Sequence, residues 1–324
     1  MIVVLSYDEF EQGTEPVIDW LINLNANFIK VTIKDIFKSE SNIRIDINQK
    51  KIFFKNVDIT ADINVFFYRR IFANFSLHAD GNIFKDQLER EITDETITLI
   101  NYLFYVFKDK TWLPAPDRAN VNKLTMLNKA VDAGLIVPKS VIVNNKKDLL
   151  AFYTLCTGSI ITKPINKAGY YTVGKYTYFV FVNKIDEKFI ADLEDNFFPS
   201  LFQECVEKDY EVRIFYLDGD FYSVALITKG QESLVDVKQR SVAEDAIWVP
   251  YNLPETLKQQ LTTFFKSINL NTGSVDVLRT KTGEYVFIEV NPVGQYGAPS
   301  HQGNFHLDKK IAQYLIDKDN IYEK

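Results

Sequence analysis

SVDVLRTKTGEYVFIEVNPVGQYG, running from Ser274 to Gly297, is the stretch that decides the reading. It has a strand, a Thr-Lys-Thr-Gly turn, a second strand, and a Glu-Val-Asn-Pro exit into a glycine-flanked loop. β-Branched and aromatic residues stand on both sides of the turn signal. Side chains alternate along a strand, so Glu289 and Asn291 share a face. If the hairpin loop has an even number of residues, Asp276 joins that face almost opposite Glu289. Two carboxylates and an amide among Val, Phe and Ile would repel without a cation between them. All three offer hard oxygen donors, which suit magnesium better than zinc. The same residues also fit a surface hairpin with scattered charges.

The 324 residues suffice for two or three small domains. Apolar residues make up 46% and charged residues 25%, both ordinary for a globular protein. A net charge of -6 argues against a generic nucleic-acid binder. Cys156 and Cys205 have no metal or redox spacing and fit a reducing compartment. MIVVLSYDEF lacks a basic n-region and reads as a first strand. No apolar run reaches the roughly 20 residues of a spanning helix. These features predict a cytoplasmic protein with no membrane partner.

Residues 1 to about 112 read as an α/β unit. Strands are predicted at Ile2 to Ser6, Phe28 to Ile33, Ile43 to Ile47, Lys51 to Phe54 and Ile63 to Tyr68, and helices at Val17 to Leu24 and Phe84 to Phe107. Arg69 and Arg70 follow the last strand, where paired arginines can bind a carboxylate or phosphate or form a solvated basic pair. Trp112 to Pro116 breaks the long helix. Asn122 to Ala133 is a helix with Gly134 as its C-cap, and Asp148 to Leu155 is another.

Gly158 to Pro164 is a strand carrying Lys163 in apolar company, so Lys163 needs an anionic partner. Asn166 to Lys175 reads as a loop with two glycines, suited to covering phosphate, before a strand at Tyr176 to Val182. LFQECVE, Leu201 to Glu207, is a strand edge and acidic turn. Tyr210 to Tyr216 alternates, placing Glu211 and Arg213 on one face. Asp218-Gly219 is a hairpin turn before Phe221 to Thr228. Ser233 to Arg240 carries Asp236, Lys238 and Arg240. Helices at Pro254 to Ile268 and Leu307 to Ile316 complete the chain.

This order, a buried lysine, a glycine-containing loop, Gln-Glu-x-Val, Glu-x-Arg, an isolated arginine and Asp…Glu-x-Asn, resembles the ATP-grasp ligases over roughly Pro114 to Gly297. The resemblance implies an α/β and α+β protein: an N-terminal α/β pre-grasp domain over 1–112, a central ATP-grasp subdomain with a phosphate-covering loop over 113–187, and a C-terminal ATP-grasp subdomain with the magnesium site over 188–324. It implies ATP and Mg as cofactors. Lys123 and Lys163 would contact phosphates, Lys163 on the adenine side as well. Gln203 to Val206, centred on Glu204, would be the adenine hinge, and Glu211 would hold the ribose. Asp276, Glu289 and Asn291 would hold magnesium. Arg213, Arg240 and Asn291 would be catalytic.

Three segments are most similar to the graspetide synthetases, the microviridin-type peptide macrocyclases: Phe67-Tyr68-Arg69-Arg70, Pro114 to Ser140, and Glu289 to Tyr296. The likeness is to the branch found beside a radical SPASM enzyme. The chain departs from the pattern where Val-Lys-Gln separates Asp236 from Arg240, and in its glycine-poor phosphate loop. The implied reaction activates Asp or Glu side chains of a ribosomal precursor peptide as acyl phosphates. Ester or amide cross-links to Thr, Ser or Lys then form. The partner would be that peptide, a leader plus a Thr/Glu/Asp-containing core, and a homodimer is allowed. Arg69, Arg70 and Arg118 would hold substrate carboxylates or shape the cleft. Two other readings stay open: a ligase that adds a free amino acid to a peptide or protein, and a non-catalytic nucleotide-dependent peptide-binding protein.

Overall fold

The computed structural model describes residues 1–37, 43–54, 56–71, 83–166, 169–179, 182–228 and 246–321. The chain forms two compact units. One is Met1–Asn120 with Gln295–Ser300 and the chain from His306 on; the other is Val121–Gly294 with His301–Phe305.

The first unit is built on a parallel sheet in the order Phe28–Val31, Ile2–Leu5, Val65–Tyr68, Thr111–Leu113. Its two central strands are buried throughout, as expected of unbroken apolar runs in a parallel sheet. The periodic segment after Ile83 is a helix, Lys85–Val106. The Trp112 break proves to be the fourth strand: Trp112 stacks on Phe66 at 4.0 Å, and that aromatic packing outweighs the nearby prolines. The strand expected to reach Ile33 stops at Val31, and Ile33–Phe37 turns helical. The helices Glu15–Asn23 and Leu307–Ile321 pack together, with Trp20 Nε1 donating to Asp308 at 3.2 Å.

The second unit holds two large antiparallel sheets and a separate two-stranded hairpin. The four-stranded one runs Asn183–Ile185, Ile160–Thr162, Asn196–Glu204, Ser140–Asn145. Helix Lys146–Leu155 covers it with Leu149 and Phe152. The five-stranded one runs Ala246–Pro250, Asp220–Thr228, Lys208–Leu217, Thr272–Thr280, Tyr285–Asn291. Helices Lys123–Asp132 and Glu255–Ser267 close one face of it. The latter helix buries Leu257, Leu261, Phe264 and Phe265 at one-face spacing, each contributing roughly 1.5–3 kcal/mol. Asp218 and Gly219 both take positive φ, which gives the predicted tight hairpin.

The expected glycine-containing loop is half strand. Tyr170–Val173 pairs with Tyr176–Phe179 around a turn at Gly174. Tyr and Thr favour the pleat, and the Thr172 and Thr177 hydroxyls meet across it at 3.2 Å. Among the described residues, no helix is long and apolar enough to cross a membrane.

Candidate functional site

Val212, Ile214, Tyr216, Val275, Val277, Phe287 and Val290 point into the helix-covered core of the five-stranded sheet. Alternation therefore sends Glu211 and Arg213 to the open face. Arg213 pairs with Asp276 in the ladder, and Asp276 with Glu289. Asn291 follows on the same face. The turn does not supply this arrangement. Arg279 opposes Tyr285 with five residues between, an odd number, so a regular ladder would bring Ile288 to Asp276. Instead the register shifts between Asp276 and Val277, and Ile288 is left without a partner. This bulge re-aims Glu289 to the open face. Phe287, beside it, donates its amide to Ile136 at 2.7 Å along the outer edge of the strand.

A second bulge lies in Lys208–Leu217. Lys208 opposes Thr280 and Tyr210 opposes Arg279, so Asp209 is extra. Lys208 thereby leaves Tyr210's face and joins that of Glu211.

The open face is electrostatically dense. Lys123, the first residue of its helix, places Nζ 3.0 Å from Glu289 Oε2. The Asn122 side chain caps that helix by accepting from the amides of Leu124 and Thr125. Asn291 Nδ2 donates to Glu289 Oε1 at 3.3 Å. Arg213 lies 3.7 Å from both Asp276 Oδ1 and Glu211 Oε2. Lys208 donates to Glu211 Oε1. Burial alone would raise the Glu289 carboxyl; Lys123, Asn291 and Lys163 outweigh it and hold the group below its ordinary value. Burial pushes the Lys163 ammonium below its usual range, as Lys123 does, against the pull of Glu289 and Asp276. Lys163, just past the strand Ile160–Thr162 of the other sheet, thus feels this same charge cluster.

Asp276, Glu289 and Asn291 are therefore brought together, as two carboxylates and an amide. Among the described residues no group of three His, Cys, Asp or Glu could hold a metal ion by itself. The donor set fits magnesium, which takes one or two carboxylates and completes its shell with water and phosphate oxygens.

The expected hinge lies at the end of Asn196–Glu204. Gln203 is buried, with its amide donating to Ser140 Oγ at 2.8 Å. The Glu204 side chain accepts from the Lys139 amide, and the backbone amides of Glu204 and Cys205 donate to Lys139 and Ser159 carbonyls. Among the described residues, the Val206 amide donates to no backbone carbonyl.

The arginines of the first unit are placed differently. Arg69, 5% exposed, meets Glu11 through Nε and Nη2 at 3.3 and 3.4 Å. Tyr296 donates to the Gly13 carbonyl beside this pair. Arg70 is half-buried, and Arg118 is exposed and paired with Asp117. Arg240, with Asp236 and Lys238, lies outside the described residues, as do residues 167–168 of the hairpin approach. Lys208 was missed in the sequence because strict alternation sends it to the wrong face.

No family model and no curated protein matches the chain. Solved structures do. The macrocyclase MdnC from Microcystis aeruginosa, bound with precursor peptide MdnA, matches with a TM-score of 0.81 and 21% identity, over 98% of this chain and 99% of that one. The Chryseobacterium gregarium RiPP-associated ATP-grasp ligase, in complex with ADP and a leader and core peptide, gives 0.76 and 19% over 98% and 96%. The ATP-grasp ligase PsnB, complexed with a precursor variant, Mg and ADP, gives 0.74 and 19% over 98% of each. The chain has the fold of these macrocyclases and ATP-grasp ligases.

Proposed function

We propose that the protein is an ATP- and magnesium-dependent ligase. In this reading it activates Asp or Glu side chains of a ribosomal precursor peptide as acyl phosphates and closes ester or amide cross-links with Thr, Ser or Lys. The observation that carries the reading is the one-faced array of Lys208, Glu211, Arg213, Asp276, Glu289 and Asn291, with Lys123 and Lys163 beside it. Full-length likeness to peptide macrocyclases gives the substrate class its support. In the same proposal 1–112 is the pre-grasp domain, and 113–187 and 188–324 carry the nucleotide site. A cytoplasmic setting and a homodimer belong to it as well; the free thiols Cys156 and Cys205 support the former.

The chain's own residues would divide the work as follows. The backbone around Glu204 and Val206 reads the adenine edge, and Glu211 accepts from the ribose hydroxyls. Lys163 and Lys123 hold phosphate oxygens. A magnesium ion held by Asp276, Glu289 and Asn291 would offset phosphate charge. Arg213 stabilises the phosphoryl group as it passes to the substrate carboxylate, releasing ADP. The acceptor hydroxyl or amine then attacks the acyl carbon, loses its proton, and expels phosphate. Transfer of this kind depends on positioning and charge neutralisation. Arg70 and Arg118 are assigned to substrate carboxylates or the cleft wall; for Arg69 the buried Glu11 pair supports the wall role.

Mass spectrometry of a Thr/Glu-rich candidate peptide after incubation with ATP and magnesium tests the proposal. Loss of one water per ring supports it. Gain of an amino-acid mass would identify a residue-adding ligase, and no ATP turnover with any peptide would leave a binding protein.

A further inference from the structure

Glu211 is held from both sides. Lys208 donates to Oε1, and Arg213 stands 3.7 Å from Oε2. Neither member of the lysine pair is loose: the Lys208 and Glu211 side chains are 17% and 14% exposed. The contact exists because of the bulge at Asp209, which turns Lys208 away from the core side and onto the open face. An ionised carboxylate has about four acceptor sites on its two oxygens. Lys208 takes one site on Oε1; Arg213, at 3.7 Å, is an ion pair beyond hydrogen-bond reach, so both sites on Oε2 stay open, the number that a pair of neighbouring hydroxyls requires.

We propose that Lys208 is a positioning residue for nucleotide-sugar recognition. It fixes the Glu211 carboxylate in the orientation that accepts both ribose hydroxyls, and so sets the preference for ATP over 2′-deoxy-ATP. The inference rests on the ATP reading above. A lysine that served only to balance charge on the sheet would leave that preference untouched, because it would affect both nucleotides alike.

The test is calorimetric titration of the full chain with ATP and with 2′-deoxy-ATP, both with magnesium. The unsubstituted protein should bind ATP about tenfold more tightly, the scale of one hydrogen bond to a charged acceptor. Lys208→Met should weaken ATP roughly five-fold and 2′-deoxy-ATP less than about two-fold, so that the ratio collapses. Lys208→Arg should restore most of it. In a Glu211→Gln background, Lys208→Met should add nothing further. Equal weakening of both nucleotides, an unchanged ratio, or additive losses in the double variant would overturn the inference while leaving the ATP reading standing. Failure of the unsubstituted protein to bind either nucleotide overturns both.

Discussion

Asp276 stands opposite Glu289 because Ile288 drops out of the ladder between them and the turn. Two carboxylates are thereby set side by side at a sheet surface, and cations are drawn to each: Arg213 to Asp276 and Lys123 to Glu289. So many ionised groups gathered on one open sheet face exceed what a brace requires, which is why the arrangement reads as a site. Asp276→Asn and Asn291→Ala should each lower ATP turnover by at least about 100-fold, the scale of a disrupted metal shell. Circular dichroism should show the fold unchanged. Near-normal turnover in either variant would remove the hairpin from the mechanism.

The Glu289 carboxyl is held below its ordinary value, so its contribution to stability is present at neutral pH. That contribution is lost as pH falls through the folded-state value. Glu289→Gln should therefore reduce stability at pH 7 by roughly 1 kcal/mol, and the difference from the unsubstituted protein should vanish in acid. Thermal melts from pH 7 to pH 3 measure this. A constant gap across that range would show that the Lys123 pair does not depend on the Glu289 charge.

Lys163 has the opposite sign. Its ammonium is pushed below the usual lysine range by burial, so holding it charged near neutrality costs stability, and that cost starts to shrink as pH rises past the lowered value and is gone above the ordinary one. Lys163→Met should leave the ligand-free protein at least as stable at pH 7, with a melting temperature equal or up to about 3 °C higher. Nucleotide binding should weaken about tenfold or more through loss of a phosphate contact. A destabilised variant would mean that the lysine braces the fold.

The paired arginines separate. Removing Arg69 strands the buried Glu11 carboxylate, a loss of about 3–5 kcal/mol. Arg69→Ala should melt well below the parent and lose ATP turnover and cyclisation together. Arg70→Ala should keep its melting temperature within about 2 °C and impair cyclisation more than ATP turnover. Equal stability of the two variants would contradict the division.

Much of this was legible in the sequence, and the remainder failed for definable reasons. Alternation placed Glu211 with Arg213 and Glu289 with Asn291, and apolar runs marked the parallel strands Ile2–Leu5 and Val65–Tyr68. A bulge breaks the rule on which such reading depends. The parity condition for Asp276 fails at the turn and is restored by Ile288, and Lys208 changes face through Asp209. Neither residue has a composition that announces a bulge. The fate of Arg69 was also hidden, because Glu11 lies 58 positions away in sequence. Thr111–Leu113 became a strand because Thr and Trp favour the pleat and Trp112 stacks on Phe66, a pairing 46 positions away that three residues of local pattern could not announce.

The central claim is that the face carrying Asp276, Glu289 and Asn291 binds magnesium-loaded ATP. Calorimetric titration of ATP into the unsubstituted protein and Asp276→Asn, each with magnesium and with a chelator, tests it most directly. The account predicts binding to the unsubstituted protein that tightens at least about tenfold when magnesium is present, and a variant in which magnesium makes no difference. Magnesium-dependent binding of equal strength in both proteins would contradict it.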